Sequence, residues 1–238
     1  MQALAESKQT RKINIGCGYD KRPGYLNVDM DPACEPDVLL VDNDFSQFER
    51  HSFDEVLAHD VLEHIPRSET ANALLEWAEL LPKGGRLVFQ TSNILGVADL
   101  ISQHQMYELH AKYTVFLFGN QQHPGDFHLT GFTDRTLRVH LLAAGFSNIV
   151  IEPTDQWMFS GSGIKASSWT RLLTIRGLSD GDFVEQATAE ALLRSPEPEF
   201  TALWSGWLKR GACTRRDLLK MLHASEERRL RIAAQNCL

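Results

Sequence analysis

An α/β fold with a largely parallel sheet is what this sequence predicts, on three observations. Short apolar runs rich in Val, Ile, Leu or Phe recur at 12–15, 25–29, 37–41, 53–58 and 85–91. Helical periodicity sets in after the fourth of them and again after residue 133. Gly16 and Gly18 follow the first run and Asp29 closes the second, the order in which a nucleotide-binding sheet presents its ligand crevice.

The elements follow in order. Only nine residues separate Ile15 from Tyr25, too few for the usual helix. They reach about 30 Å when extended, whereas a five-residue strand is about 17 Å long, so a bare loop can return the chain. The eight residues between Asp29 and Val38 are equally terse. After the fourth strand Ser68 is a plausible helix cap, and Ala71, Leu74, Leu75, Ala78 and Leu81 make one apolar stripe. Pro82 and Gly84 end that helix before the strand "RLVFQT". A second helix runs through 134–144, with Thr133 at its start and Gly145 just past its end. "FSNIVIEP" and "TRLLTIRG" read as a closing strand pair, the last strand antiparallel.

Residues 92–132 differ in character, with four of the nine histidines, several aromatics and the turn "HPGD". In a Rossmann-like sheet this region opens onto the crevice at the strands' carboxyl ends, so a cap over a substrate is expected. Residues 1–177 then form one domain and 178–238 a small helical bundle. Asp182 with Glu185, and Thr214 with Asp217, are its expected capping boxes, and Phe183, Leu203, Trp204, Trp207, Leu218 and Leu222 its expected core. A sheet with reduced helices on one face needs cover. The bundle, or a homodimer partner held through it, is expected to supply that cover.

The chain has 238 residues, 43% of them apolar, and a net charge of −7. That balance speaks against a nucleic-acid face, which needs clustered Lys and Arg. No run approaches the length of a membrane span and "MQALAESKQTRK" lacks an apolar leader core, so a cytoplasmic location is expected. Cys17, Cys34, Cys213 and Cys237 are scattered, as reduced thiols are, and no metal site is expected.

"INIGCG", "YLNVDMD", "LLVDND", "SFDEVLAHDVLEHI" and "LLPKGGRLVFQT" together resemble the class I S-adenosylmethionine-dependent methyltransferases, among them bacterial ones with a short first loop. The resemblance covers about residues 11 to 176 and continues in "HPGDFHLTGFTDRTLRVHLLAAGF". It implies S-adenosyl-L-methionine as cofactor. Gly16 and Gly18 would face its methionine part, Asp29 the ribose, Asp42 and Asn43 the adenine, and His59 the sulfonium end, with Cys17 and Met30 also among the cofactor-binding residues. Asn14 departs from the pattern, since many relatives carry an acid there. "DGDFVEQATAEALLRSPEPEFTALWSGWLKRGACTRRDLLKMLHASEERR", residues 180–229, resembles a small bacterial domain attached to glycosyltransferases and methyltransferases of surface-polysaccharide pathways, which implies a glycan acceptor and a glycan-assembly partner.

Methyl transfer to a sugar hydroxyl needs a base. His128, in "GDFHLTGF", is the first choice, with Asp126 orienting it or acting as base itself. The competing reading makes His128 a structural histidine that ties cap to core. His64 reads as a capping or packing residue, and His104, His110 and His123 as surface positions. A small-molecule or lipid acceptor and a non-catalytic cofactor-binding scaffold are the alternatives.

Overall fold

The computed structural model describes residues 11–41, 44–122 and 124–238. Seven strands form one sheet in the order β3-β2-β1-β4-β5-β7-β6. They are β1 (Lys12–Ile15), β2 (Leu26–Asp29), β3 (Val38–Leu39), β4 (Glu55–His59), β5 (Arg86–Ser92), β6 (Phe146–Thr154) and β7 (Met158–Lys165). All neighbours are parallel except β7, which runs antiparallel to both β5 and β6. The sheet is therefore Rossmann-like with an antiparallel last strand. That strand is "MFSGSGIK"; the expected "TRLLTIRG" is instead a 3-10 turn, Arg171–Thr174. Gly161 explains why β7 lacks a strand-like composition. A Cβ there would stand 2.5 Å from the Phe89 ring and 2.2 Å from the Val150 carbonyl.

Helices α1 (Thr70–Leu80) and α4 (Asp134–Ala143) cover one face. The partner row Ile13–Val56–Leu87 lies on that face and is fully buried. It shares a single hydrophobic core with Leu74, Trp77, Leu137 and Leu141. Helix α1 starts later than Ser68 suggested, and Glu69 precedes it without a capping side-chain bond. Thr133 caps α4 through a capping box with Thr136.

The four C-terminal helices are α5 (Asp180–Leu192), α6 (Pro198–Lys209), α7 (Arg215–Ala224) and α8 (Glu226–Gln235). They do not cover the face that lacks helices. Helix α7 packs on α1 and α8 on α4, an outer layer on the face already clad, and Phe183, Leu218 and Leu222 join the same core. The opposite face tolerates this because its rows are largely polar. Asn27–Asn14–Leu57–Val88–Ser162 is one row, and His59–Gln90–Ser160 is the next. The short first loop lies against part of it. Asn14 Nδ2 donates to the Asp20 carbonyl at 3.1 Å, and the Arg22 amide donates to Asn27 Oδ1 at 2.8 Å.

Two details of the bundle differ from expectation. Ser179, not Asp182, caps α5, accepting from the Asp182 amide, whereas the Thr214–Asp217 capping box is present. Helix α6 buries no residue; Trp204 and Trp207 are half-buried on one another and Leu203 is exposed. Among the described residues no helix is long and apolar enough to cross a membrane.

Candidate functional site

The reversal of strand order between β1 and β4 opens a crevice at their carboxyl ends, where such sheets bind ligands. Gly16 and Gly18 stand there in the left-handed region, with φ of 63° and 48°, which glycine enters without steric cost. A Cβ on Gly16 would lie 2.6 Å from Val61 Cγ2, whereas one on Gly18 would meet nothing within 4 Å. The loop is thus packed from below at Gly16 and open at Gly18. Cys17 is buried between them, and its thiol is pushed up to about 11 by burial and by the charge of Asp29.

Asp29 holds this loop. Its Oδ2 accepts from the Gly18 amide at 2.7 Å and its Oδ1 from the Asp31 amide at 2.9 Å. A carboxylate has about four lone-pair sites, so acceptor capacity for two ribose hydroxyls is left. Asn14, 4% exposed, spends its amide on Asp20 and Asn27 and braces the loop from beneath. Met30 is half-exposed beside Asp29. Asp42 and Asn43 lie outside the described residues.

β4 delivers His59 and Asp60 to the same end. His59 is half-buried and is held below the usual imidazole range by burial and by the nearby Arg22. Asp60 adopts a left-handed backbone, φ 54°, with its amide donating to the Gln90 carbonyl at 3.0 Å. A 3-10 turn, Leu62–His64, follows. Glu63, 1% exposed, accepts from the Thr91 hydroxyl at 2.9 Å. Its carboxyl is pushed up to about 7, chiefly by burial and then by the neighbouring Asp60.

The cap consists of α2 (Ile94–Gln103), α3 (Tyr107–Phe118) and the extended segment after them. Val97, Leu100 and Tyr113 make its own small core, and Phe116 stacks on Trp157 of the β6–β7 turn at 4.1 Å. The segment 127–130 is laced to the turn after β4. Leu129 and Thr130 amides donate to the Glu63 carbonyl at 2.7 and 3.1 Å, and His64 Nδ1 donates to the Phe127 carbonyl at 3.1 Å. His128 Nδ1 lies 3.0 Å from the Phe116 carbonyl. A carbonyl only accepts, so the proton sits on Nδ1 and Nε2 carries the lone pair. The His64 ring stands edge-on to His128 with centroids 4.9 Å apart. Burial and His64 hold His128 below the usual range, against the opposing pull of Asp60 and Asp126.

The fold therefore brings Gly16, Gly18, Asp29, His59 and His128 to one end of the sheet, and sets Asp60 and Glu63, for which no role is expected from sequence, beside them. Asp126, expected beside His128, accepts from the Gln122 amide within its own turn. His104 and His110 bond to the Leu100 and His104 carbonyls and serve the cap's architecture. His123 lies outside the described residues. No cluster able to hold a metal occurs among the described residues. Two cavities, of about 390 and 460 Å³, share no lining residue with the crevice. One lies between residues 44–50, α1 and α7, the other beside α2 and the β6–β7 turn.

No curated protein matches the chain. Solved structures similar to it include a possible exported protein from Bordetella parapertussis, with 16% identity over 67% of this chain and 64% of that one, TM-score 0.49. A S-adenosylmethionine-dependent methyltransferase from Methanosarcina mazei shows 14% identity over 67% and 95%, TM-score 0.47. A phosphoethanolamine N-methyltransferase from Haemonchus contortus, in complex with S-adenosyl-L-methionine, shows 14% over 66% and 49%, TM-score 0.44. The chain spans less than two thirds of the Bordetella and Haemonchus proteins. Residues 13–89 match the family described as methyltransferase domain. They span from β1 into the first half of β5 and include the glycine loop and Asp29. About a third of the chain is therefore similar to the methyltransferase-domain family, and the sheet that carries it has a Rossmann-like strand order.

Proposed function

We propose that this chain is an O-methyltransferase that uses S-adenosylmethionine to methylate a sugar hydroxyl of a bacterial surface glycan or its precursor. The crevice suits that cofactor: the loop is open at Gly18, and Asp29 keeps acceptor capacity for ribose hydroxyls. The cofactor supplies an electrophilic methyl group, and the chain must align an acceptor oxygen and remove its proton. Alignment alone can be worth effective molarities of about 10⁵–10⁸ M.

The observation that carries the hydroxyl reading is His128, whose Nδ1–H is tied to Phe116 so that Nε2 is the basic nitrogen. Held below the usual imidazole range, it is neutral near pH 7, the form a base requires. The sugar itself rests on the resemblance of residues 180–229. The exposed Phe118, Phe127 and Leu129 beside His128 favour a second acceptor class, a lipid or other small molecule with an apolar body.

Mass spectrometry of glycan, lipid and amine acceptors incubated with the protein and S-adenosylmethionine tests both. Methyl gain on a hydroxyl is expected; methylation confined to amines overturns the hydroxyl reading. His128→Ala should lower turnover by about 10²-fold with cofactor affinity nearly unchanged. Normal turnover in that variant moves the base elsewhere.

A further inference from the structure

We propose that Asp60 is the positioning residue of this base: its carboxylate steadies the imidazolium that His128 becomes when it takes the acceptor's proton. This rests on the reading of His128 as base. As the acceptor oxygen bonds to the methyl carbon, the carbon–sulfur bond breaks with its electron pair on sulfur. The acceptor proton passes to His128 Nε2 and from there to water. The imidazole thus gains a full positive charge during the step, and a fixed negative neighbour favours that change.

Three observations point to Asp60. Its backbone is left-handed at φ 54°, a region that costs a side-chain-bearing residue energy and is kept where the surroundings fix it. Its amide donates to the Gln90 carbonyl of β5 in that conformation. Glycine would relieve that conformation, yet the chain places a carboxylate there.

The second observation is position. The turn after Asp60 and the segment carrying His128 are joined by three hydrogen bonds, from His64 to Phe127 and from Leu129 and Thr130 to Glu63. His59 flanks Asp60 in sequence, Glu63 lies beyond it in the same turn, and His128 is close enough for their charges to interact. The charged and titratable groups that act on His128 are His64, Asp60 and Asp126, and of these the His64 ring stands edge-on to it.

The third is what each nearby carboxylate does. Glu63 accepts from Thr91 in the interior, and Asp126 accepts from Gln122. Among the described residues no group donates a hydrogen bond to the Asp60 carboxylate, which is half-buried, so its charge stays available to a cation that forms nearby.

The test uses the full chain. Asp60→Gly removes the carboxylate and relieves the backbone, so it should fold with an unchanged or higher melting temperature. Asp60→Asn keeps the shape without the charge. Following the His128 ring by NMR, with His128→Gln to assign it, both variants should lower its titration midpoint by half a pH unit or more. Asp126→Asn should lower it less. Turnover on the acceptor found above should fall at least tenfold with cofactor affinity unchanged. An unmoved His128 midpoint in the two Asp60 variants, or full turnover, overturns the role of Asp60. Loss of the base itself is a separate outcome, read only from His128→Ala.

Discussion

The Gly18 amide and Asp29 Oδ2 are 2.7 Å apart, so one carboxylate closes the glycine loop onto the end of β2. The same group that recognises a ribose in the proposed site therefore also shapes the loop beside it. A single substitution should separate the two roles.

Asp29→Asn retains an oxygen that can accept from Gly18 but loses the charge and one acceptor. It should keep the fold and weaken S-adenosylmethionine binding by about 1.5–3 kcal/mol, the scale of hydrogen bonds to a charged group. Asp29→Ala should do the same and in addition lower the melting temperature, since the Gly18 and Asp31 amides lose their partner. Calorimetric titration and thermal melts read the two effects separately. Unchanged affinity in folded Asp29→Asn removes Asp29 from the ribose site.

Gly16 faces two constraints of different origin, a left-handed φ of 63° and the Val61 side chain 2.6 Å from where a Cβ would sit. Gly16→Ala should therefore destabilise by about 1–3 kcal/mol. Adding Val61→Ala removes the clash but not the backbone strain, so the double variant should recover only part of the loss. Denaturant midpoints of the two single variants and the double variant measure the coupling. Simple additivity would mean that Val61 is not what fills the space under the loop.

The parallel part of the sheet was legible because its signals are local. Glycines at a strand end, an acid closing the next strand and a 3.6-residue stripe over Leu74, Leu75 and Ala78 each report their own surroundings. β7 was not, because Gly161 is dictated by Phe89 and Val150 from two other strands. The bundle's docking face is hidden from the sequence for a related reason. Counting missing helices says that a face is bare, but only pairing register reveals that Asn14, Gln90 and Ser160 leave that face polar. Asp60 stood in plain view at the strand's end. Its left-handed backbone and its nearness to His128, 68 positions on, arise only in the folded chain.

His223 predicts acid sensitivity. It is 5% exposed, both ring nitrogens lack partners, and burial with nearby Arg228 pushes it down to about 3. Its folded value lies below the unfolded one of about 6.5, so the unfolded chain binds the proton first. Stability is full above the unfolded value and falls as pH drops below it, until the folded value is reached. Between pH 7.5 and 5 the loss is on the order of 2 kcal/mol from this residue. Urea midpoints across that window should fall in the wild type and fall less in His223→Leu. An identical slope in both would exclude His223 as the source.

Arg228 is where the outer helices meet the inner ones. It is 8% exposed, its Nε donates to the Ala143 carbonyl at the end of α4 at 2.9 Å, and its Nη1 to the Ala191 carbonyl near the end of α5 at 2.7 Å. Helix ends leave their last carbonyls unpaired and carry partial negative charge, so one guanidinium satisfies two ends and complements both dipoles. Arg228→Met fills similar space but leaves both carbonyls without that donor in a site water reaches poorly. It should cost about 2–3 kcal/mol, against hydrogen bonds to charged groups of about 1.5–3 kcal/mol. Arg194 is the control, since its pairs with Glu197 and Glu227 lie nearer the surface and solvent weakens them. Arg194→Met should move the denaturation midpoint little. If the two variants lose equal stability, the clamp at Ala143 and Ala191 is not what holds α8 to the rest of the chain, and apolar packing of α7 on α1 carries the attachment instead.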